Sequence, residues 1–435
     1  MGATVSKSFS AYVVPSVFAF ALSGVYTIVD GFFIGQSMGD DGLAAITIGY
    51  PIAAFIMAIG TGLGLAGAIR YTILLARNQE RQSRECFTNT TVLMTLVSLA
   101  LTIGLFFLTE PILSILGATG RIHTMAAEYI NVVVLGTIFQ LLGTGFVPFI
   151  RNMNGSAFAM YAVIMGFVTN IILDYLFVWV WNQEMAGAAW ATVLGQAVTL
   201  GLALIFFWRK KYGPRFSSFS ETLRLWRETI LVSFSPFGLN FTPQLTLMFI
   251  NRFLLTYGDG QDVAAFGCVD YLLTTIYMLL QGVGDGSQPL ISECYGREDA
   301  SGVRSMRRKA YLFAGGIALI SMLVCFLFRN QIGVLFGASS ATNANVAYYL
   351  PLFTATLLLV SFTRVTTTYF YATEKTSLSY VLVYGESILT LLALFVCSFF
   401  FGLIGVWYSM PIAQLVLFMI AVASKRRVDF VCFHR

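Results

Sequence analysis

Apolar runs long enough to cross a bilayer recur along this whole chain, and no other feature narrows its fold as much. A helix needs roughly 20 such residues to span the hydrocarbon core. Twelve runs come near or exceed that length: 12–36, 43–69, 86–108, 122–150, 157–181 and 187–208, then 229–255, 262–288, 306–328, 342–371, 376–399 and 402–423. The alternating pattern of a membrane β-barrel is absent. Only 11% of residues are charged, against roughly 25% in soluble domains. The chain is predicted to be an all-α integral membrane protein with twelve transmembrane helices.

Lys and Arg set the orientation. Arg70, Arg77, Arg81 and Arg84 follow the second run, and Arg209, Lys210, Lys211, Arg215, Arg224 and Arg227 follow the sixth. Arg297, Arg304, Arg307, Arg308 and Lys309 follow the eighth, and Lys425, Arg426 and Arg427 the twelfth. All fall on one side, whereas the opposite loops hold Arg121 and Arg329. The positive-inside rule then predicts that both termini are cytoplasmic. The net charge of +5 reads as a topology signal, and no nucleic-acid partner is expected. The opening MGATVSKSFS has no cleavable signal pattern, and its match to a myristoylation motif reads as coincidence.

Enzymatic and metal chemistry find little support. Cys268, Cys325 and Cys397 lie within runs, while Cys86, Cys294 and Cys432 lie on the cytoplasmic side, so no external disulfide pair is available. His123 and His434 stand away from Cys, Asp and Glu at ligand spacing. No phosphate-binding G-x-x-x-x-G-K-[ST] motif occurs, which excludes an ATP motor within the chain. No enzyme and no cofactor are expected.

Shifting the sequence by about 220 residues aligns its halves. Pro15 falls on Pro236, Asp30 on Asn251, Gly117-Ala118 on Gly337-Ala338, and Gln196 near Gln414. Six runs per half is an even number, so the second half enters the membrane from the same side. Two six-helix lobes related by a pseudo-twofold axis along the membrane normal follow. The expected division is 1–208 as N-terminal lobe, 209–228 as a cytoplasmic linker with a surface-lying amphipathic helix (ETLRLWRETI), and 229–435 as C-terminal lobe and tail.

Depth along each helix follows from a rise of 1.5 Å per residue. Asp30 lies about 13 Å below the outer turn at Gly39, and Asp174 and Thr192 lie about 15 and 12 Å from the turn near Glu184. Three helices thus place polar groups in one layer, through the i, i+4 pairs Tyr26 with Asp30, Asn170 with Asp174, and Thr192 with Gln196. These oxygens suit Na⁺, and the two acids could share protons. Tyr26, Thr192 and Gln196 taken singly could equally be interhelical glue. Two acids at one depth, with no Lys or Arg elsewhere in the first six runs, point to function.

The second half differs. Arg364 and Glu386 lie at depths differing by about 3 Å and are expected to form a structural or gating pair. Asp270 has no obvious partner and is a secondary substrate or proton candidate, while Asp285 is expected to face water. Pro15 removes a backbone hydrogen bond four turns before Asp30 and permits a bend there.

VDGFFIGQSMG with GLAAITIGYP (42–51), RNMNGS (151–156), NIILDYLFV (170–178) and GAAWATVLGQ (187–196) together resemble the multidrug and toxic compound extrusion (MATE) antiporters, especially bacterial branches. The resemblance spans essentially the whole chain. It implies a two-lobed twelve-helix protein of the inner cell membrane, expected to act as a monomer, that exchanges cationic, amphipathic drugs for H⁺ or Na⁺. By that resemblance Asp30, Asn170, Asp174 and Thr192 form the cation site, and Tyr26 and Pro15 match the neighbouring tyrosine and hinge proline. The chain departs from the family where some branches carry a glutamate in the seventh helix and an aspartate in the tenth, so a C-terminal cation site of that type is not expected. A lipid or lipid-linked oligosaccharide flippase of the same broader fold is the alternative; it would want a basic cavity, and the N-terminal runs hold acids.

Single cysteines introduced near Arg77, Lys211, Arg304 and Arg426 are expected to react with impermeant maleimide only from the cytoplasmic side. Labelling of any of them from outside intact cells would reverse the orientation.

Overall fold

The computed structural model describes residues 2–433, with side chains for 9–26 and 29–429. His434 and the Cys432 side chain therefore lie outside the described residues. In chain order the helices are α1 (Gly2–Ala76), α2 (Glu80–Ile115), α3 (Gly120–Leu135), α4 (Thr137–Asn152), α5 (Ser156–Asp174), α6 (Glu184–Arg209), α7 (Phe219–Tyr257), α8 (Gly260–Gly296), α9 (Ala300–Leu327), α10 (Arg329–Leu335), α11 (Ser340–Thr354), α12 (Leu357–Ala372) and α13 (Thr376–Phe433). A π-helical segment, Tyr175–Val180, follows α5 directly.

Among the described residues, seven helices qualify as membrane spans by length and hydropathy, and two bent pairs raise that to nine. Those pairs are α3 with α4, bent by 60°, and α11 with α12, bent by 47°. They are the fourth spans of the two sequence halves. Gly39 (φ 62°) and Gly402 (φ 58°) interrupt α1 and α13, dividing each into two legs. A side chain at that φ would strain the backbone, so glycine is required where the chain reverses between legs. With α7, the spans make a twelve-helix bundle of the expected class.

The chain forms two compact units. Phe18–Asn240 is one; the other joins the residues up to Val17 to the chain from Phe241 onward. The divisions fall shortly after Pro15 and Pro236, the two prolines that the internal repeat superimposes. Within the second unit, the first turns of α1 lie against glycines of α8. A Cβ on Gly282 would stand 2.8 Å from Val17 Cα, and one on Gly286 2.7 Å from Val13 Cα. Within the first unit, the start of α7 packs on α1 in the same manner, a Cβ on Gly62 falling 2.9 Å from the Ser233 carbonyl. Each seam admits a helix backbone only because the facing residue has no side chain.

The segment before α7 is not a separate surface helix as expected. ETLRLWRETI belongs to α7 itself. It docks on the first turns of α2, where the Trp226 indole N–H donates to the Asn89 carbonyl (3.0 Å), and the loop before it reaches the same turns, the Arg215 amide donating to Thr88 Oγ1 (2.8 Å) and Asn89 Nδ2 to Ser217 (2.9 Å). The amphipathic pattern arises because one face meets α2 and the other meets water.

Three further expectations change. Asp285 is buried, accepting from Gln281 Nε2 at 2.9 Å and from the Tyr371 hydroxyl at 3.4 Å, because α8 and α12 enclose it. His123 meets Glu110 at 3.2 Å, a partner too far along the chain for local spacing to show. The chain beyond the twelfth run continues as helix, clipped to α9 by a two-pronged contact in which Arg307 donates to Asp429 at 2.8 and 2.9 Å. Lys425 adds a contact at 3.3 Å.

Partial burial acts to raise the Asp429 carboxyl, but Arg307 and Lys425 outweigh it and hold it below the ordinary range. A depressed carboxylate contributes stability in full above its unfolded value of about 3.9, and that contribution is lost as pH falls through the folded value. Asp429→Asn is therefore expected to speed amide exchange over 425–433 at neutral pH. The difference from wild type should shrink below about pH 4. Equal exchange in both proteins at neutral pH would remove the clip from the account.

Candidate functional site

Asp30 and Asp174 occupy the interior of the 18–240 unit, exposed by 8% and 0%. Their carboxyl groups face each other closely enough to interact directly. Even so, neither Asp174 oxygen nor Asp30 Oδ1 has a hydrogen-bond donor among the described residues. Asn170 Oδ1 is a fourth orphaned oxygen, while its amide nitrogen donates to Thr192 Oγ1 at 3.4 Å. The oxygens placed in one layer by helical spacing thus converge on one locus, and no ion pair is formed there among the described residues.

Local sequence explains how α5 and α6 come this close. Gly166 and Gly195 face each other across the helix pair: a Cβ on Gly195 would lie 2.7 Å from the Gly166 carbonyl and 3.1 Å from Asn170 Cβ. The π-helical segment begins immediately after Asp174, with the Trp181 amide bonded to the Leu176 carbonyl at 2.8 Å. Such a wider turn shifts the register of the residues that follow and is frequent at functional sites. No feature of NIILDYLFV announces it.

Around these oxygens stand aromatic rings. Tyr26 stacks on Phe167 with centroids 4.7 Å apart, and its hydroxyl interacts with Thr192 and with both acids. The Tyr129 hydroxyl of α3 also interacts with Thr192 and both acids, and the residue is 5% exposed. Helical spacing could not have revealed Tyr129, because it comes from a fourth helix. Gln196 lies one turn from Thr192 against Gly143 of α4, apart from the Asn170 contact. Pro15 lies in an unbroken helical stretch; the non-helical residue of α1 is Gly39.

In the other unit Arg364 and Glu386 do meet. A single nitrogen, Nη2, lies 3.3 Å from both carboxylate oxygens. Gln414 Nε2 donates to the same carboxylate at 2.9 Å. The Arg364 guanidinium also sits over the Tyr277 ring, 5.6 Å from its centre. Asp270 lies two turns from Tyr277 on α8, in electrostatic reach of it, and has no hydrogen-bond partner among the described residues.

Gly195→Val is expected to force α5 from α6 and separate Asn170 from Thr192, destabilising the fold by about 1–3 kcal/mol. Cysteines placed at 170 and 192 should be bridged by mercury in the wild-type background and not in combination with Gly195→Val. Equal bridging in both would show that the glycine contact does not set the distance.

The MatE family model matches residues 15–176 and 236–391. Among similar proteins, the multidrug export protein MepA of Staphylococcus saprophyticus is 23% identical over 421 residues, covering 96% of this chain and 93% of that protein. MepA of Staphylococcus aureus is 22% identical over 414 residues, covering 94% and 91%. A crystal structure of a MATE protein in its straight conformation superimposes with a TM-score of 0.91 at 20% identity, covering 99% of this chain and 97% of that one. An outward-facing multidrug resistance MATE transporter superimposes with a TM-score of 0.90 at 19% identity, covering 99% and 97%.

Proposed function

The chain belongs to the MatE family of membrane transporters, and from that membership we propose that it exports organic cations in exchange for H⁺ or Na⁺ by alternating access. The observation that carries the reading is the buried meeting of Asp30 and Asp174 with no basic partner among the described residues.

Two carboxylates in hydrocarbon repel, so the pair is under pressure to take up a cation or a proton. Na⁺ prefers oxygen ligands, and Asp30, Asp174, Asn170 and Thr192 offer carboxylate, amide and hydroxyl oxygens, several of them without a donor. A proton shared between the acids would relieve the same repulsion. A positively charged drug is attracted to the ionised pair and loses that attraction once the pair is neutralised, which is the reciprocity that antiport needs. Each coupling cation moving inward contributes about 2.3 kcal/mol per 100 mV, which offsets the equal cost of moving one monovalent drug cation outward, so net export is driven by the concentration gradient of the coupling ion or by a second coupling ion. The change of compact unit just past Pro15 supports the reading of that residue as the hinge of α1. Tyr26, Phe167 and Tyr129 provide ring faces for an aromatic cation. In this reading the protein works as a monomer in the cell's inner membrane, with both termini cytoplasmic.

Dye-cation efflux from proteoliposomes under separately imposed H⁺ and Na⁺ gradients tests the proposal. Asp30→Asn is expected to insert normally and lose gradient-driven efflux by at least tenfold, and Asp174→Asn to weaken it strongly. Wild-type rates in purified Asp30→Asn under either gradient would sink the assignment.

A further inference from the structure

Two arginine–carboxylate contacts in the same compact unit are built differently. Arg307 meets Asp429 with both guanidinium prongs at 2.8 and 2.9 Å, the short forked geometry of a strong structural pair. Arg364 meets Glu386 through one nitrogen at 3.3 Å from each oxygen, longer than a charge-assisted bond ordinarily is. Both guanidiniums also face a tyrosine ring, Arg307 that of Tyr369 at 4.4 Å and Arg364 that of Tyr277 at 5.6 Å. The carboxylates differ in their further partner: Asp429 has a second cation, Lys425, whereas Glu386 has the neutral amide of Gln414, so only the Arg364 pair has a single positive charge to displace. A carboxylate opposite an aromatic face is the arrangement by which proteins hold guanidinium and ammonium ligands.

We propose that Tyr277, Glu386 and Gln414, with Asp270 beside them, form a binding site for monovalent organic cations in the C-terminal half, and that the Arg364 side chain is its resident, displaceable occupant. The inference rests on the exporter reading for its biological use but not for its physical test. It gives the unpaired Asp270 a place: an entering cation adds a positive charge near Arg364, and Asp270 supplies the additional negative charge. The site differs from the N-terminal one. Matching the two helix starts, Ser156 with Thr376, sets Glu386 against Gly166 and Thr390 against Asn170, so the carboxylate stands one turn closer to the cytoplasmic ends of the helices. At that level the N-terminal half closes α5 on α6 through glycine, whereas the C-terminal half places a charge.

The test uses thermal unfolding of purified, detergent-solubilised full-length protein titrated with methylguanidinium, all in the Asp30→Asn background, so the N-terminal assignment can fail independently. Arg364→Ala is expected to gain saturable stabilisation by millimolar methylguanidinium, with half-saturation at least tenfold lower than in the parent. Arg364→Lys, which keeps a tethered cation, should show no gain, and Arg364→Ala with Glu386→Gln should lose it. Asp270→Asn beside Arg364→Ala should weaken the response severalfold. No gain in Arg364→Ala, or a gain that survives Glu386→Gln, overturns the proposal. Should Arg364→Ala fold poorly because Glu386 is left buried and unpaired, purification with methylguanidinium present is expected to recover it. Failure to recover it that way, while the neutral double variant folds, overturns the proposal as well.

Discussion

In a bilayer each backbone amide and carbonyl must find its partner inside the protein, and this requirement underlies every other feature of the molecule. It makes each crossing a helix. Helices already satisfied within themselves are not driven together by hydrophobicity, because lipid tails are as apolar as leucine; close contact must come from shape. Glycine supplies that shape. A Cβ on Gly64 would collide with the Gly145 carbonyl, and Gly166, Gly195, Gly282 and Gly286 form similarly tight seams. The candidate cation site depends on one of them, since Asn170 reaches Thr192 where Gly166 and Gly195 let two backbones touch.

The same low-polarity surroundings sort the charges into three treatments. Near the C-terminus, Arg307 and Asp429 form a short fork that fixes the last helix. In the interior of that unit, Arg364 and Glu386 neutralise each other loosely beside an aromatic ring. In the other unit, Asp30 and Asp174 share a buried locus with no positive side chain among the described residues. Strong pairing suits a structural clip and would defeat a transport site, where binding must remain reversible. The graded strength of these contacts is therefore consistent with the functions proposed for them.

Where the chain changes compact unit also follows from sequence elements acting at a distance. Pro15 and Pro236 occupy corresponding places in the internal repeat, and both unit boundaries fall just beyond them. Proline withholds a backbone donor, so a helix is most easily redirected near it. The glycine faces at Gly282 and Gly62 then hold the segments before each boundary against the other half of the sequence.

Hydropathy and charge alone determined the number of crossings, and helical spacing put Asp30, Asn170, Asp174 and Thr192 at one depth. Both properties are local, since each depends only on counting along one helix. Tyr129 beside the acids, the π-helical segment after Asp174 and the burial of Asp285 were not legible. The first and last depend on which face of one helix meets which face of another, and a widened turn leaves no mark in residue type. Equal depth also did not decide which groups would touch: Gln196 shares a helix with Thr192 but faces Gly143, and Arg364 could be matched to Glu386 without revealing Tyr277 beneath it. Rotation of each helix about its axis is set by the packing of side chains from distant parts of the chain, so only the tertiary structure could decide it.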